Sequence, residues 1–362
     1  MSKAGTSGVI LTQTRLTFPG IPGIKYGYRD SRNISRRFKA LNMKIYLPNS
    51  AFLGNIDPFL RAFDTTNPER LEITANKKWI SLHPVALSLV AALGLTVDPP
   101  NIYCEQLEAT SRHYLERMGL FKLLKITTDI HIKEHEPAGR FIPLTQIHST
   151  QDLTKFIQDM VPLLHLDPIQ AEPIKYIISE LGANVFEHAD SKIGALFCAQ
   201  YYQKTNTIRL GIVDTGVGIQ NTISVSHKAD SDLEAIGLAL TPGITGTTRN
   251  LGGTDYNAGA GLFFIKSIAK VNRNFFMIYS GNAMYKLLRT KRTKRVILSA
   301  DPFKDNHSGG EDFPYWQGTA VGIDISLDST EEFSNLLELI RKTISEAIKT
   351  RKKEIYKRAI FI

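Results

Sequence analysis

The sequence predicts an α/β protein of the α+β kind with two globular parts. Short strand-like and helix-like segments alternate over residues 43–136, and longer segments of both kinds follow over residues 150–328. The chain has 362 residues, 43% of them hydrophobic and 22% charged, so it is long enough for two domains or one large one with an ample core.

The first part is predicted to contain three strands and three helices. The strand-like segments are residues 43–48, 70–81 and 101–108. The helix-like segments are residues 55–63, 84–94 and 108–126. Pro58 and Pro84 stand in first helical turns, where proline is favoured, and Gly119 interrupts the third helix near its end.

The second part begins near residue 150, after a linker and a short strand at 137–146. Helices are predicted at residues 149–164, 171–189 and 261–272. Strands are predicted at residues 193–202, 207–214, 274–281, 283–288 and 318–327. A stretch rich in threonine and glycine covers 220–258, and an acidic loop covers 305–316. A helix with a basic end is expected within residues 329–362.

The net charge of +9 at pH 7 is concentrated at the N-terminus. Residues 1–42 hold eight Lys or Arg and one acid, so this basic and poorly ordered arm carries +7 (8 − 1). If the protein binds nucleic acid, the arm is the expected contact. The run "RTKRTKR" at 289–295 is read either as a solvated hairpin end or as a docking patch for an anionic partner.

Cysteine content and hydropathy restrict the cellular context. The two cysteines, Cys104 and Cys198, lie in apolar surroundings, which argues against a disulfide framework or a cysteine-based zinc site. No apolar run reaches the roughly 18 residues of a membrane helix. A cytoplasmic protein that does not enter the membrane is therefore expected.

The stretch "SELGANVFEHAD" at 179–190 places polar side chains inside a predicted helix. Glu180, Asn184 and His188 are spaced four residues apart, so they form one stripe beside the apolar face. Asparagine is a poor helix former, because its amide competes for backbone hydrogen bonds. A carboxylate and an amide one turn apart suit oxygen coordination of a cation such as Mg²⁺. A polar helix edge is the alternative interpretation.

Two further motifs combine glycines with the ends of regular elements. In "IRLGIVDTGVGI", a strand ends at Asp214, and Gly216 and Gly218 let the backbone approach a flat ring or turn sharply. In "NAGAGLFFIK", Gly259 and Gly261 lead into a helix N-terminus, where free amides and the helix dipole favour an anion. An aspartate-capped turn and a glycine hinge are the respective alternatives.

These motifs, followed by "WQGTAVGI", come in one order, and together they resemble the GHKL ATPase superfamily over residues 150–328. That family includes gyrase, a heat-shock chaperone, histidine kinases and a mismatch-repair protein. The resemblance implies the Bergerat fold, a mixed-sheet ATP-binding sandwich with a lid, here residues 220–258. The implied cofactors are ATP and Mg²⁺.

The resemblance also implies a role for each matching residue. Glu180 would be the catalytic base, Asn184 would hold Mg²⁺, and Asp214 would accept a hydrogen bond from the adenine amine. The remaining nucleotide-binding residues would be Gly216 and Gly218 under the adenine, Gly259, Gly261 and the amide of Leu262 at the phosphates, and Thr319 supporting Asp214. Four lid residues are further candidates for contact with phosphate, namely Thr245, Thr247, Thr248 and Arg249. His188 would have a structural role, either in side-chain packing or in capping the helix.

Within the family, the pattern Glu-x-x-x-Asn-x-x-x-His-Ala is most similar to anti-sigma-factor serine kinases. Residues 43–136 resemble STAS domains, the antagonists that those kinases phosphorylate, through "SRHYLERMGLFKLLKI" and the order of the elements. The acceptor serine of such antagonists falls here on Leu82 or His83, with Ser81 nearby. A degenerate STAS-like regulatory or docking domain is therefore expected.

The function implied is that of a Mg-ATP-dependent regulatory kinase that phosphorylates Ser or Thr on a partner protein. The partner is either STAS-like or another phosphoacceptor. The alternatives are an ATP-driven conformational switch or slow ATPase in a stress or defence complex, including a homodimer, and a degenerate protein that binds ATP without chemistry.

Overall fold

The computed structural model describes residues 42–63, 69–105, 109–128, 141–164, 166–246, 261–291, 293, 295–328 and 333–358. Residues 40–362 form one compact unit. The predicted basic arm up to residue 41, Gly259, and Thr247, Thr248 and Arg249 lie outside the described residues. None of the helices within the described ranges has the length and apolar character required to span a bilayer.

The N-terminal elements form a small parallel sheet with helices. The strands are β1 (Asn42–Leu47), β2 (Arg70–Ala75) and β3 (Ile102–Cys104), paired in the order β1-β2-β3. The helices are α1 (Asp57–Arg61), α2 (Pro84–Gly94), α3 (Ala109–Arg117) and α4 (Leu120–Leu123). Short 3-10 helices cover Leu53–Asn55 and Pro99–Asn101. The predicted helix at 108–126 is divided between α3 and α4, because Gly119 adopts a left-handed φ of 79°.

The following elements build a seven-stranded sheet. In spatial order its strands are β4 (Phe141–Ile147), β5 (Ala195–Tyr202), β6 (Thr207–Val213), β10 (Trp316–Ser326), β7 (Phe276–Gly281), β8 (Ala283–Leu287) and β9 (His307–Gly310). Every neighbouring pair is antiparallel, whereas the resemblance implied a mixed sheet. The α-helices are α5 (Thr150–Met160), α6 (Pro168–Asn184), α7 (Ile219–Ser224), α8 (Asp232–Ala239), α9 (Gly261–Val271) and α10 (Phe333–Arg358). Further 3-10 helices cover Val161–Leu164, Gln203–Thr205 and Pro302–Lys304.

Two regions for which no helix or strand was predicted contain regular structure. The stretch 220–258 includes the end of α7 and all of α8, and Ser231 caps α8 by accepting a hydrogen bond from the Glu234 amide at 3.2 Å. The acidic loop 305–316 was predicted wrongly at its start, because β9 pairs there with β8. Its sequence, "HSGG", has little strand propensity, so backbone pairing with a neighbouring strand decides its conformation.

The large sheet is a central layer with a hydrophobic core on each face. Ile208, Leu210 and Ile212 of β6 point to the core beneath α6, α9 and α10. Leu196 of β5 and Val213 of β6 belong to the other core, which the N-terminal elements complete. All seven residues of β6 are consequently buried. Successive side chains of β6 therefore point alternately into two different cores, and neither face of the strand is exposed to solvent.

Helix α2 closes the second face by direct contact with the sheet backbone. All of its residues are buried, and it packs on β5, β6 and β10. Gly211 of β6 and Gly322 of β10 are register neighbours, and together they leave a depression for the start of the helix. A Cβ on Gly211 would lie 2.6 Å from the carbonyl carbon of Pro84. A Cβ on Gly322 would lie 2.9 Å from Cγ1 of Val85.

The position that the STAS resemblance assigned to a phosphoacceptor lies in this contact. Leu82 and His83 are both fully buried. His83 Nδ1 accepts a hydrogen bond from the Val85 amide at 3.1 Å, and Nε2 lies 3.2 Å from Oδ1 of Asp324 on β10. Burial lowers the pKa of His83. The start of α2 thus serves as a packing surface within the chain.

Gly211→Ala is expected to destabilise the whole protein by roughly 1–3 kcal/mol, as overpacking of a filled core does. The added methyl group would overlap backbone atoms of α2, which move less readily than the end of a side chain. Thermal unfolding measures the effect. Gly54→Ala is the matched control, because the nearest atom to its Cβ is on the Phe275 ring at 3.3 Å. Equal melting temperatures for the two variants would contradict this account of α2.

Candidate functional site

A cavity of about 360 Å³ opens on the helical face of the large sheet. Its walls come from α6 and the turn after it, from the ends of β6 and β10, from segment 219–246 and from the start of α9. Seven of the residues singled out by the motifs line it, namely Glu180, Asn184, Asp214, Gly218, Gly261, Leu262 and Thr319. His188 and Thr245 line it as well. Segments far apart in sequence therefore converge on one space.

Helix α6 supplies the polar stripe, but it changes geometry after Asn184. Residues Val185–Ala189 form a π-helical turn, which ends at Asp190 in the left-handed region, with φ 49°. Single π turns of this kind occur frequently at functional sites. The predicted α-helical spacing consequently holds for Glu180 and Asn184 only. His188 reaches the same cavity from the wider turn.

Asp214 lines the cavity and is 3% exposed. Its Oδ1 accepts a hydrogen bond from the Gly216 amide at 2.8 Å, and its backbone amide donates to the Thr319 carbonyl at 2.9 Å. Burial raises the pKa of the Asp214 carboxyl to about 7, while the backbone amides of Gly216 and Thr319 oppose the rise. A buried carboxyl therefore lines the cavity.

Gly216 and Gly318 bring three backbone segments together behind this carboxyl group. A Cβ on Gly216 would overlap the carbonyl oxygen of Ala189, the last residue of the π turn. Gly318 has φ 106°, and its Cβ would lie 2.7 Å from Oδ1 of Asp214. Gly216 does not line the cavity itself, but it supports the Asp214 side chain. Gln317 donates from Nε2 to the Gly216 carbonyl.

Glu180 meets the first residue of α9. The ideal Cβ position on Gly261 would overlap Oε2 of Glu180, so a larger residue here would require the Glu180 side chain to move. Burial raises the pKa of the Glu180 carboxyl above its ordinary value of 4.5, and the charge of Glu187 adds to the rise. The sequence motifs predicted both residues but did not predict their contact, which joins the carboxylate to the N-terminal end of a helix.

The lid-side wall consists of Thr222, Ile244 and Thr245, among others. Thr222 Oγ1 donates to the Gly218 carbonyl at 3.1 Å, which fixes α7 to the glycine turn. Among the wall residues that the motifs did not indicate are two aromatic side chains, Tyr176 of α6 and Phe264 of α9. Tyr176 lies one turn before Glu180, so continuing the stripe by four residues towards the N-terminus would have found it.

Few protein side chains at this cavity are available to coordinate a metal ion. Among the residues that the structure describes, no group of three or more His, Cys, Asp or Glu is arranged to hold a metal ion. Asn184 is different, because its buried Nδ2 has no hydrogen-bond partner among the described atoms. A half-turn about its Cβ–Cγ bond exchanges Nδ2 with Oδ1, so the unpaired end of this amide can present an oxygen. An unpaired buried amide is unfavourable by about 1–3 kcal/mol, which a polar ligand would offset.

Neither the scan against protein-family models nor the search of curated proteins found a match for this chain.

Proposed function

We propose that the cavity binds ATP with Mg²⁺ and that the protein transfers the γ-phosphoryl group to a Ser or Thr hydroxyl of a regulatory partner protein. The observation that carries the proposal is the convergence of four separate motifs, represented by Asn184, Asp214, Gly261 and Thr319, on one cavity. Its volume of about 360 Å³ lies within the range of small-molecule sites. The GHKL-like order of these motifs supports the same assignment.

Asp214 would select adenine. An ionised carboxylate accepts a hydrogen bond from the exocyclic amine of adenine, whereas guanine presents a carbonyl oxygen at the same ring position. Thr319 and Gly218 line the cavity beside Asp214, and the apolar side chains of Ile212 and Val321 offer contact to a flat ring. The amides at the start of α9, at Gly261 and Leu262, would bind phosphate oxygens.

Asn184 would hold Mg²⁺ together with phosphate oxygens of the nucleotide, and the bound ion would neutralise part of the phosphate charge. A single protein ligand suits this ion, which keeps several waters and is bound largely through substrate phosphates. The unpaired amide of Asn184 and its position one turn after Glu180 support this role.

Glu180 would act as the general base. The acceptor Oγ attacks the γ-phosphorus, the bond from that phosphorus to the β–γ bridging oxygen breaks, and ADP leaves. Glu180 takes the proton that the hydroxyl loses, so the products are a phosphoester and ADP. Burial raises the pKa of Glu180, which makes its carboxylate a better proton acceptor.

The test of the proposal is equilibrium binding of ATP and GTP to the full chain, with and without Mg²⁺, followed by transfer from γ-labelled ATP to candidate partner proteins. We expect ATP to bind more tightly than GTP and label to appear on a Ser or Thr. Absence of ATP binding would overturn the proposal.

Asn184→Ala is expected to remove the gain in ATP affinity that Mg²⁺ provides, because no other described residue of α6 offers an amide to the cavity. Calorimetric titration with ATP at several Mg²⁺ concentrations measures it. Asn335→Ala, at an exposed position on α10, is the matched control and should behave as wild type. An unchanged response of Asn184→Ala to Mg²⁺ would exclude Asn184 as the ligand.

A second candidate is an ATP-driven conformational switch or slow ATPase. Segment 219–246 supports it, because Thr222, Ile244 and Thr245 form one wall of the cavity and would contact a bound nucleotide. Nucleotide-dependent dimerisation in light scattering, with phosphate released to water and no labelled partner, would favour the switch over the kinase.

A further inference from the structure

Tyr176 and Phe264 form an aromatic pair at the end of the cavity that holds Glu180. Tyr176 precedes Glu180 by one turn of α6, and Phe264 follows Gly261 by about one turn of α9. Their ring centroids are 5.9 Å apart, with an interplanar angle of 59°. The two helices that supply the proposed base and the proposed phosphate site are therefore bridged by two rings.

The pair lies on the side of Glu180 away from the adenine end. Along α6 the order is Tyr176, Glu180 and Asn184, and the turn that follows ends at Ala189 beside Gly216, whose amide donates to Asp214. Both rings line the cavity and both are partly exposed, so the pair forms part of the cavity surface beside the Glu180 carboxylate. Burial, followed by the negative charge of Glu180, raises the pKa of Tyr176, which keeps its hydroxyl neutral beside the carboxylate.

We infer that Tyr176 and Phe264 form the acceptor-side wall of the cavity and favour a protein hydroxyl over water as the phosphoryl acceptor. This inference rests on the proposed function. An apolar wall keeps bulk water from ordering beside Glu180, while an incoming protein segment can pack against the rings and deliver its hydroxyl. The residues determine specificity and take no part in proton transfer.

The competing reaction defines the test. In hydrolysis a water oxygen attacks the γ-phosphorus, the bond to the β–γ bridging oxygen breaks, Glu180 takes the proton, and ADP and inorganic phosphate form. Opening the wall should admit water to this reaction. Tyr176→Ala and Phe264→Ala are therefore each expected to raise phosphate release from Mg-ATP several-fold in the full chain, with little change in ATP affinity.

Three comparisons separate this effect from a structural one. Tyr176→Phe keeps the ring and should restore the slow rate. Tyr176→Ala combined with Glu180→Gln should return phosphate release to background, because the admitted water still needs the base. Tyr103→Ala removes an aromatic side chain that is 59% exposed on β3, outside the cavity, and should release phosphate at the wild-type rate.

Loss of packing alone would lower both ATP binding and turnover, so a faster reaction cannot arise from misfolding. If alanine at either position abolishes ATP binding, Tyr176→Leu and Phe264→Leu are tested under the same criteria. Unchanged or slower phosphate release with intact ATP binding would overturn the inference while leaving the proposed function standing. A wild-type protein that binds no ATP would instead overturn the proposed function.

Discussion

Asp214→Asn is expected to weaken ATP binding by roughly 10- to 150-fold, since a hydrogen bond to a charged group contributes about 1.5–3 kcal/mol. An asparagine amide can also donate to the guanine carbonyl, so the preference for ATP over GTP should largely disappear. Competition of GTP against a fluorescent ATP analogue measures both effects. An unchanged nucleotide preference would remove Asp214 from the proposed adenine site.

The same substitution is expected to stabilise the protein at high pH. The folded pKa of Asp214 is about 7, above its ordinary value of 3.8, so between those values the folded state holds a proton that the unfolded state releases. Stability is therefore lost as pH rises through this window. The loss is on the order of a few kcal/mol, at about 1.4 kcal/mol per tenfold change in the dissociation constant.

Melting temperatures between pH 4 and pH 8 test this prediction. Asp214→Asn should gain stability relative to wild type as pH rises, whereas Asp230→Asn, at an exposed site, should not. Wild-type ATP affinity should rise from pH 6 to pH 8, because the ionised carboxylate accepts the adenine hydrogen bond more strongly than the neutral carboxyl does. A flat difference between Asp214→Asn and wild type across this range would contradict the assignment.

Glu180→Gln should reduce phosphoryl transfer and hydrolysis by about 10²- to 10⁴-fold, the usual contribution of a general base. Glutamine keeps the shape of the side chain but cannot take the proton. ATP binding should persist or tighten, because the substitution removes a negative charge beside the start of α9, where phosphates are proposed to bind. Single-turnover kinetics and equilibrium binding, measured on the same preparation, separate the two effects.

Glu187→Gln is the matched control for this substitution. The charge of Glu187 contributes to the raised pKa of Glu180, so its removal should lower that pKa. The acid limb of the pH–rate profile should then move to lower pH, while the maximal rate stays close to wild type. Retention of turnover in Glu180→Gln would show that another group accepts the proton.

Local patterns predicted much of this architecture. Helix α2 has the predicted bounds of 84–94, and β7 and β8 form the expected hairpin. The spacing of Glu180 and Asn184 placed both on one side of α6, and strand β6 ends at Val213, one residue before the predicted end at Asp214. Such features depend on neighbours within a few residues, so the sequence contains their full pattern.

Long-range packing decided the remaining features. Arg209 and Gly211 alternate with apolar residues along β6, which indicates one solvated face, yet both are buried and contact the N-terminal elements. Arg209 is sandwiched between the rings of Phe52 and Tyr202, 4.2 and 4.0 Å from their centroids. No local pattern shows which distant segment covers a face.

For the candidate site, the amino-acid sequence by itself determined which chemical groups are present and the short spacings between them. Only the tertiary structure decided that Glu180 meets Gly261, that a π turn carries His188 into the cavity, and that Tyr176 contacts Phe264. The physical reason is that periodicity fixes direction within one element, whereas the distance between two elements follows from how their side chains pack.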